Sequence, residues 1–118
     1  MALFRFETLD IWKMAIDISD ELFDVADDLE KRKLFRFAEQ LRSAGMSISN
    51  NISEGSGSYS EKDFANFLKF SRRSVYECAN VMVIIEKRQC ITEKYKIEMM
   101  EKLAHLSKMI TNFRKKIL

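Results

Sequence analysis

The chain has 118 residues, of which 47% are hydrophobic and 32% are charged, and its formal net charge is +2. This length suits one domain with a core of its own, and this composition excludes an intrinsically disordered chain. No apolar run approaches the roughly 20 residues that cross a bilayer, so we expect no membrane partner. The start, MALFRFETLD, has no basic region followed by an apolar stretch, which predicts a cytoplasmic rather than a secreted protein.

The small net charge conceals a division along the chain. Residues 1–30 hold nine acids and two bases, a balance of −7, whereas residues 31–118 hold eighteen bases and nine acids, a balance of +9. Such a division suits an anionic partner. It also suits pairing of the acidic segment with basic segments of the same bundle or of another subunit.

Apolar residues return every three or four places through four successive stretches, which is the spacing of amphipathic helices. We call the line of apolar residues along one face of each stretch its seam. The first seam consists of Ile11, Ala15, Ile18, Leu22, Val25 and Leu29, with a second apolar line beside it. The spacing predicts helices over about residues 8–28, 33–54, 60–88 and 92–117. Since the chain has no proline and no stretch of period two, we predict an all-α fold. Residues 1–118 should form one domain, an antiparallel up-down-up-down four-helix bundle.

Helices two and three are joined by the stretch SISNNISEGSGSYSEKDF, residues 47–64. Gly55 is predicted to end the second helix with a positive φ, and Ser60 to cap the third, with Asp63 three residues later. The stretch lacks the preceding strand and the Gly-x4-Gly-Lys-Ser/Thr pattern of a phosphate-binding loop. We therefore interpret it as a helix corner, while weak anion binding at the start of the third helix stays open.

Three further positions bear on the packing and the turns. Gly45 lies on the second seam, which predicts a close backbone approach by another helix. The first turn must fall within residues 27–33, although no glycine or proline marks it. Residues 88–92 provide the last turn, with Thr92 as the N-cap of the fourth helix.

The cysteines and the histidine offer little chemistry. Cys78 and Cys90 lie roughly 18 Å apart by helical rise, too far for a disulfide, so we expect reduced thiols, Cys78 in the core and Cys90 in a turn. His105 is the sole histidine. Neither a di-iron site nor a nucleophile–histidine pair can be assembled with it, and Glu101 beside it offers only a weak two-residue clamp. The sequence predicts no enzyme, no metal site and no cofactor.

Basic residues are the remaining functional signal. Arg42, Lys69, Arg72 and Arg73 are the candidate contacts to nucleic acid. A cluster of such cations binds RNA or DNA phosphate by releasing counterions, without sequence preference.

The stretch EQLRSAGMSISNNISEG, followed by FANFLKFSRRSVYE, resembles the 23S rRNA-intervening sequence proteins, a family of small bacterial four-helix bundles. The positions that match the pattern of this family are Gln40, Arg42, Ala44, Ser47, Ile48, Asn51, Ile52, Glu54, Gly55, Phe64, Phe67, Leu68, Ser74 and Glu77. Leu9, Trp12 and Ala15 fit its usual start, so the likeness spans roughly residues 5 to 118. Ser43 replaces a second arginine of the pattern, and Ser49 stands where proline is frequent.

The resemblance implies a bundle that assembles into ring-like homopentamers and has no catalytic activity. Some relatives are encoded within inserts of ribosomal RNA genes. A more distant accessory protein of similar fold, from diversity-generating retroelements, binds nucleic acid and a reverse transcriptase. At the helix corner, the resemblance implies either a buried polar network or a ligand site made by Arg42, Asn51, Glu54 and Glu77.

Two functions stay open from the sequence. One is a homo-oligomer that binds RNA or DNA phosphate. The other is a structural or partner-binding oligomer whose acidic first helix docks on basic helices of neighbouring subunits.

Overall fold

The computed structural model describes all of residues 1–118 and contains four α-helices and no strand. A short 3-10 helix, Arg5–Thr8, precedes α1 (Asp10–Lys31), α2 (Phe35–Ser56), α3 (Glu61–Lys87) and α4 (Glu93–Ile117). Each helix packs beside the next one in the chain, and α4 also contacts α1. The predicted all-α fold with its up-and-down bundle of four helices is confirmed. The molecule is a rod of 43 × 23 × 23 Å.

A single apolar core follows the four predicted seams, because each seam faces the bundle axis. Its bulkiest fully buried side chains are Ile18, Leu22, Leu29, Leu41, Ile48, Ile52, Phe64, Leu68, Met82, Ile85, Met99 and Leu103. Ser19 and Ser71 are buried among them. The Ser19 hydroxyl donates to the carbonyl of Gly45 at 2.9 Å, and that of Ser71 to the carbonyl of Ile48 at 2.8 Å. Both hydroxyls thus find acceptors on α2, and no buried polar side-chain atom lacks a partner.

Non-glycine residues in the left-handed region end two of the helices. After α1, Lys33 has a φ of 64°, its N–H bonds to the carbonyl of Glu30, and the N–H of Leu34 reaches that of Leu29. Gln89 repeats this arrangement after α3, with a φ of 62°. This pair of hydrogen bonds is the Schellman motif, which satisfies carbonyls at a helix end and usually has glycine in the left-handed place. Composition alone therefore did not mark these turns.

The prediction that Gly55 ends α2 with a positive φ is wrong. No glycine in the chain has a positive φ, and α2 continues through Gly55 to Ser56. Gly55 is instead the point of close approach: a Cβ built on it would lie 2.6 Å from the Cβ of Phe67 and 2.7 Å from Cδ1 of Phe64. At Gly45, where the sequence predicted that approach, an added Cβ would meet Cε1 of Phe23 at 3.5 Å, an ordinary contact.

Both predicted N-caps are confirmed. The Ser60 hydroxyl accepts from the N–H of Asp63 at 3.1 Å at the start of α3, and the Thr92 hydroxyl accepts from the N–H of Tyr95 at 3.0 Å at the start of α4. These bonds satisfy amides that have no partner within the helix. As predicted, Cys78 lies in the core and Cys90 in the last turn.

Candidate nucleic-acid interface

A trough runs between α3 and α4 on the outside of the bundle. Ala79 on α3 and Ala104 on α4 both line it, and these short side chains leave a space of about 680 Å³ between the helices. Its floor is apolar and includes Val75 and Leu103, whose side chains belong to the core. Its other lining residues are Arg72, Tyr76, Met100, Ser107, Lys108, Thr111 and Asn112.

The trough continues into a second depression of about 300 Å³ nearer the end of α4. The two share Arg72 and Thr111 and therefore form one surface, which we call the basic groove. The second depression adds Leu68, Lys69, Ile110, Arg114 and Lys115. The basic groove thus carries five cations, and neither depression is lined by an aspartate or a glutamate.

Two of the arginines are held in place by neighbouring groups. Arg72 donates from Nη2 to the Tyr76 hydroxyl at 3.2 Å, and its guanidinium lies 4.9 Å from the centre of the Tyr76 ring. Arg114 donates from Nε to the carbonyl of Ala65 at 3.1 Å, which ties the end of α4 to the start of α3. The Arg72 contact is a cation–π pair, so this guanidinium is positioned before any ligand binds.

Of the four predicted nucleic-acid contacts, the structure brings together Lys69 and Arg72. Arg73 lines neither depression, and its guanidinium lies over the ring of Phe70, 5.7 Å from the centre of that ring. Arg42 is turned toward α1, where it donates to Asp27 at 2.7 Å and to Glu30 at 3.0 Å. The pKa of Arg42 is raised from its ordinary value, chiefly by the hydrogen bond to Asp27.

Sequence reasoning missed the α4 side of this surface. Lys108, Arg114 and Lys115 of α4 are not among the four predicted contacts, and neither is Tyr76. The signal was the turn near residue 90: residues equally far from it on either side face each other in an antiparallel pair, as Arg72 and Lys108 do.

The predicted polar set at the helix corner does not form one hydrogen-bonded network. Arg42 is on the α1 side, and the exposed Glu54 and Glu77 have no side-chain hydrogen bond. Asn51 donates to the Ser47 carbonyl at 2.8 Å and to the Ser47 hydroxyl at 3.1 Å, and Ser74 of α3 donates to that hydroxyl at 2.8 Å. The Ser74–Ser47 hydrogen bond therefore joins α3 to α2 here, while both bonds of Asn51 stay within α2.

A second groove, of about 440 Å³, has the opposite charge and lies between α1 and the start of α4. Its lining residues are Glu21, Asp24, Val25, Asp28, Ile91, Thr92 and Tyr95, and we call it the acidic groove. Burial raises the pKa of the Tyr95 hydroxyl, and the charges of Glu21 and Asp24 raise it further. Lys102 of α4 contacts Glu21 at 2.9 Å and neutralises part of this charge.

Other chemistry has little to build on. His105 is exposed on α4, and no three His, Cys, Asp or Glu side chains converge as a metal site would require. None of the helices combines the length and the apolar character needed to cross a bilayer. The basic groove thus combines positive charge with an apolar floor.

Comparison with known proteins identifies relatives of this bundle. The model of the family described as 23S rRNA-intervening sequence protein matches residues 7–112. Among solved structures, the chain is similar to a protein of unknown function from the S23 ribosomal protein family of Bacteroides thetaiotaomicron. The TM-score is 0.84 at 19% identity, over 89% of this chain and 98% of that one. At this identity the likeness shows the fold alone. No curated protein matches.

Proposed function

This chain belongs to the 23S rRNA-intervening sequence protein family, and we propose that it is a non-enzymatic, homo-oligomeric protein of the cytoplasm. In this proposal the basic groove binds the phosphates of RNA or DNA without sequence preference. Five is the subunit number that the family resemblance implies. Lys69, Arg72, Lys108 and Lys115 are the proposed phosphate contacts, with Arg114 fixing the groove between α3 and α4.

The observation that carries this proposal is the lining of the groove. Five cations from two helices border one continuous depression to which no carboxylate contributes. Five cations outside the groove form ion pairs with acids, among them Arg42 with Asp27 and Glu30, and Lys96 with Glu86. Cations without a carboxylate partner are available to neutralise phosphates, and the counterions that this releases from the nucleic acid favour binding.

The test is fluorescence anisotropy with a labelled oligonucleotide at rising salt. The logarithm of the affinity should fall linearly with the logarithm of the salt concentration. Each cation that contacts a phosphate should add about 0.7 to the steepness of this line for a single strand and about 0.9 for a duplex. Replacing both Lys69→Gln and Arg72→Gln should lower the steepness of that line by about 1.4 to 1.8.

The control removes the same charge from another surface. Lys31→Gln with Arg36→Gln changes two exposed cations that do not line the groove. It should leave the salt dependence close to that of the unaltered chain. Absence of binding at low salt contradicts the proposal, and so does an equal loss in both double variants, which would indicate an effect of net charge alone.

A second candidate function is an oligomer whose acidic first helix docks on basic helices of neighbouring subunits, with no nucleic-acid role. The observation that favours it is the position of the two grooves, since the acidic groove and the basic groove open between different helix pairs. One copy can therefore offer its acidic groove to the basic groove of the next, a head-to-tail contact of the kind from which rings are built.

Light scattering coupled to size exclusion tests this second function. Neutralising Asp17, Asp20 and Asp24 of α1 to asparagine should lower the mass toward that of one chain. The matched control neutralises Glu39, Glu54 and Glu77, which are exposed on α2 and α3, and should leave the mass unchanged. Unchanged assembly in the α1 variant counts against docking through the acidic helix.

A further inference from the structure

We propose that the basic groove selects an unpaired strand of nucleic acid over a duplex. The bases of the strand lie against the apolar floor beside Tyr76, and its phosphates lie along the cations of the rim. This inference rests on the proposed function and deepens it, because it names the form of nucleic acid that the groove accepts.

The basic groove combines an apolar floor with a charged rim. A duplex turns its phosphates outward and keeps the flat faces of its bases stacked inside, so it has nothing to place on the accessible apolar surface of Ala79, Met100 and Ala104. An unpaired strand carries both kinds of group on one side: phosphates that seek Arg72 and Lys108, and base faces that seek an apolar surface. A surface that bound phosphate alone would gain nothing from this floor.

Two planar groups, the Tyr76 ring and the Arg72 guanidinium, lie side by side at the edge of the trough. Tyr76 is 58% exposed although it is a large aromatic residue. It is held by Arg72, which donates to its hydroxyl at 3.2 Å and covers part of its ring at 4.9 Å. Aromatic rings and guanidinium planes are the two side-chain surfaces on which unpaired bases stack. Here they are adjacent and already fixed.

The size of the groove also suits a single strand. The volume of about 680 Å³ lies within the range of about 300–1,000 Å³ typical of small-ligand sites. From Leu68 to Ala79 the groove follows α3 for roughly 17 Å by helical rise, or about five phosphates of a stacked strand. Its width is set by two packed helices, whose axes usually lie about 8–10 Å apart. A strand fits along such a trough, whereas a duplex can only rest across its rim.

The experiment compares three forms of one sequence by anisotropy: a short single-stranded RNA, its DNA equivalent, and the DNA duplex of equal length. The unaltered chain should bind at least one of the single strands about tenfold more tightly than the duplex. Tyr76→Ser should weaken the single strand by about five- to a hundredfold, the range expected for loss of one stacked base. It should weaken the duplex much less, and the slope of the salt dependence should stay unchanged, since no charge is removed.

Two further variants separate stacking from other effects of the substitution. Tyr76→Phe keeps the ring and loses only the hydroxyl, so it should retain most of the single-strand affinity. Tyr59→Ser removes a tyrosine that is fully exposed in the α2–α3 turn, away from the groove, and should have no effect. The comparison of strand with duplex needs no variant, so it decides the question even if a substituted chain folds poorly.

The alternative results overturn the inference in distinguishable ways. If strand and duplex bind equally and Tyr76→Ser changes neither, stacking is absent, while salt-dependent binding still supports the proposed function. Should no oligonucleotide bind at low salt, both proposals fail together. If Tyr76→Ser instead lowers the oligomeric mass and no oligonucleotide binds, the groove holds a second copy of this chain.

Discussion

At Gly55 the backbone of α2 passes so close to α3 that an added Cβ would lie 2.6 Å from the Cβ of Phe67. The obstructing atom is bonded directly to the α3 backbone, so a rotamer change cannot move it away. Gly45, ten residues earlier, faces α1 with room for a methyl group. Close packing therefore requires glycine at position 55 but not at position 45, although both glycines are buried in the same helix.

We expect Gly55→Ala to lower the free energy of unfolding by about 1–3 kcal/mol, the usual effect of overpacking a core. Gly45→Ala is the matched control, since it makes the same chemical change at a site with space. It should be neutral or stabilise by up to about 1 kcal/mol, because alanine favours the helix more than glycine does. Urea denaturation midpoints of the two variants measure the difference. Equal effects would contradict the assigned close approach.

Cys78 predicts a dependence of stability on pH. Burial, and secondly the charge of Glu77, raises the pKa of its thiol to about 12, against about 8.5 in an unfolded chain. Between these values the unfolded thiol loses its proton and the folded one keeps it. Stability should therefore fall as pH rises above about 8.5, by up to roughly 1.4 kcal/mol per pH unit from this group.

Cys78→Ala isolates that contribution. Its cavity should lower stability at every pH, but the decline above about pH 8.5 should be shallower than in the unaltered chain. Urea titrations at pH 8 and above, in reducing buffer, provide the comparison. Parallel pH profiles of the two proteins would show that the thiol does not titrate as the structure indicates.

Between elements, Arg42 joins α2 to α1 through Asp27 and Glu30. We expect Arg42→Gln to cause a small loss of stability that shrinks at high salt, since both acids are largely exposed and screened by ions. Oligonucleotide affinity should not change, because Arg42 lies outside the basic groove. Thermal unfolding at low and high salt, together with anisotropy, checks both statements. A loss of affinity as large as that of Arg72→Gln would return Arg42 to the binding surface.

The helices were predictable because each seam repeats over several turns and one misplaced residue does not hide the period. Their ends were harder. Gly55 and Gly57 are both residues that commonly end a helix. Gly55 nevertheless stays helical, packed against Phe64 and Phe67 of α3, and this contact between two helices cannot be read from the local sequence. Lys33 adopts a left-handed backbone conformation, which its residue type does not predict.

The candidate site was predictable to the same depth. Lys69 and Arg72 share one face of one helix, which the sequence shows directly. Their partners Lys108 and Lys115 depend on the register of two antiparallel helices, and hence on where the turn after α3 is centred. The pairing of Arg42 with Asp27 could not be inferred from a list of charges, because it needs the crossing of α1 and α2.

At the scale of the whole molecule, the division of charge along the sequence becomes a division in space. The acids that line the acidic groove come from α1, and the cations that line the basic groove come from α3 and the second half of α4. Several large apolar side chains also remain exposed on the outside, among them Phe35, Met46, Phe70 and Ile97. Both features suit association of copies of this chain.

We therefore expect small-angle X-ray scattering to give a radius of gyration above the 14.7 Å of one subunit. Raising the salt concentration should shift it toward that value if opposite grooves meet, because screening weakens contacts between exposed charges. Light scattering on the same samples supplies the mass. A radius and a mass of one chain at low salt would contradict the oligomer.

The succession of neighbouring helices has a consequence for how the chain reaches this structure. Nearly all packing joins segments that are adjacent in the chain, and such low contact order accompanies rapid folding. The chain also has no proline, so no peptide-bond isomerisation delays the return from the unfolded state. A slow refolding phase whose rate rises with protein concentration would then indicate the association of subunits.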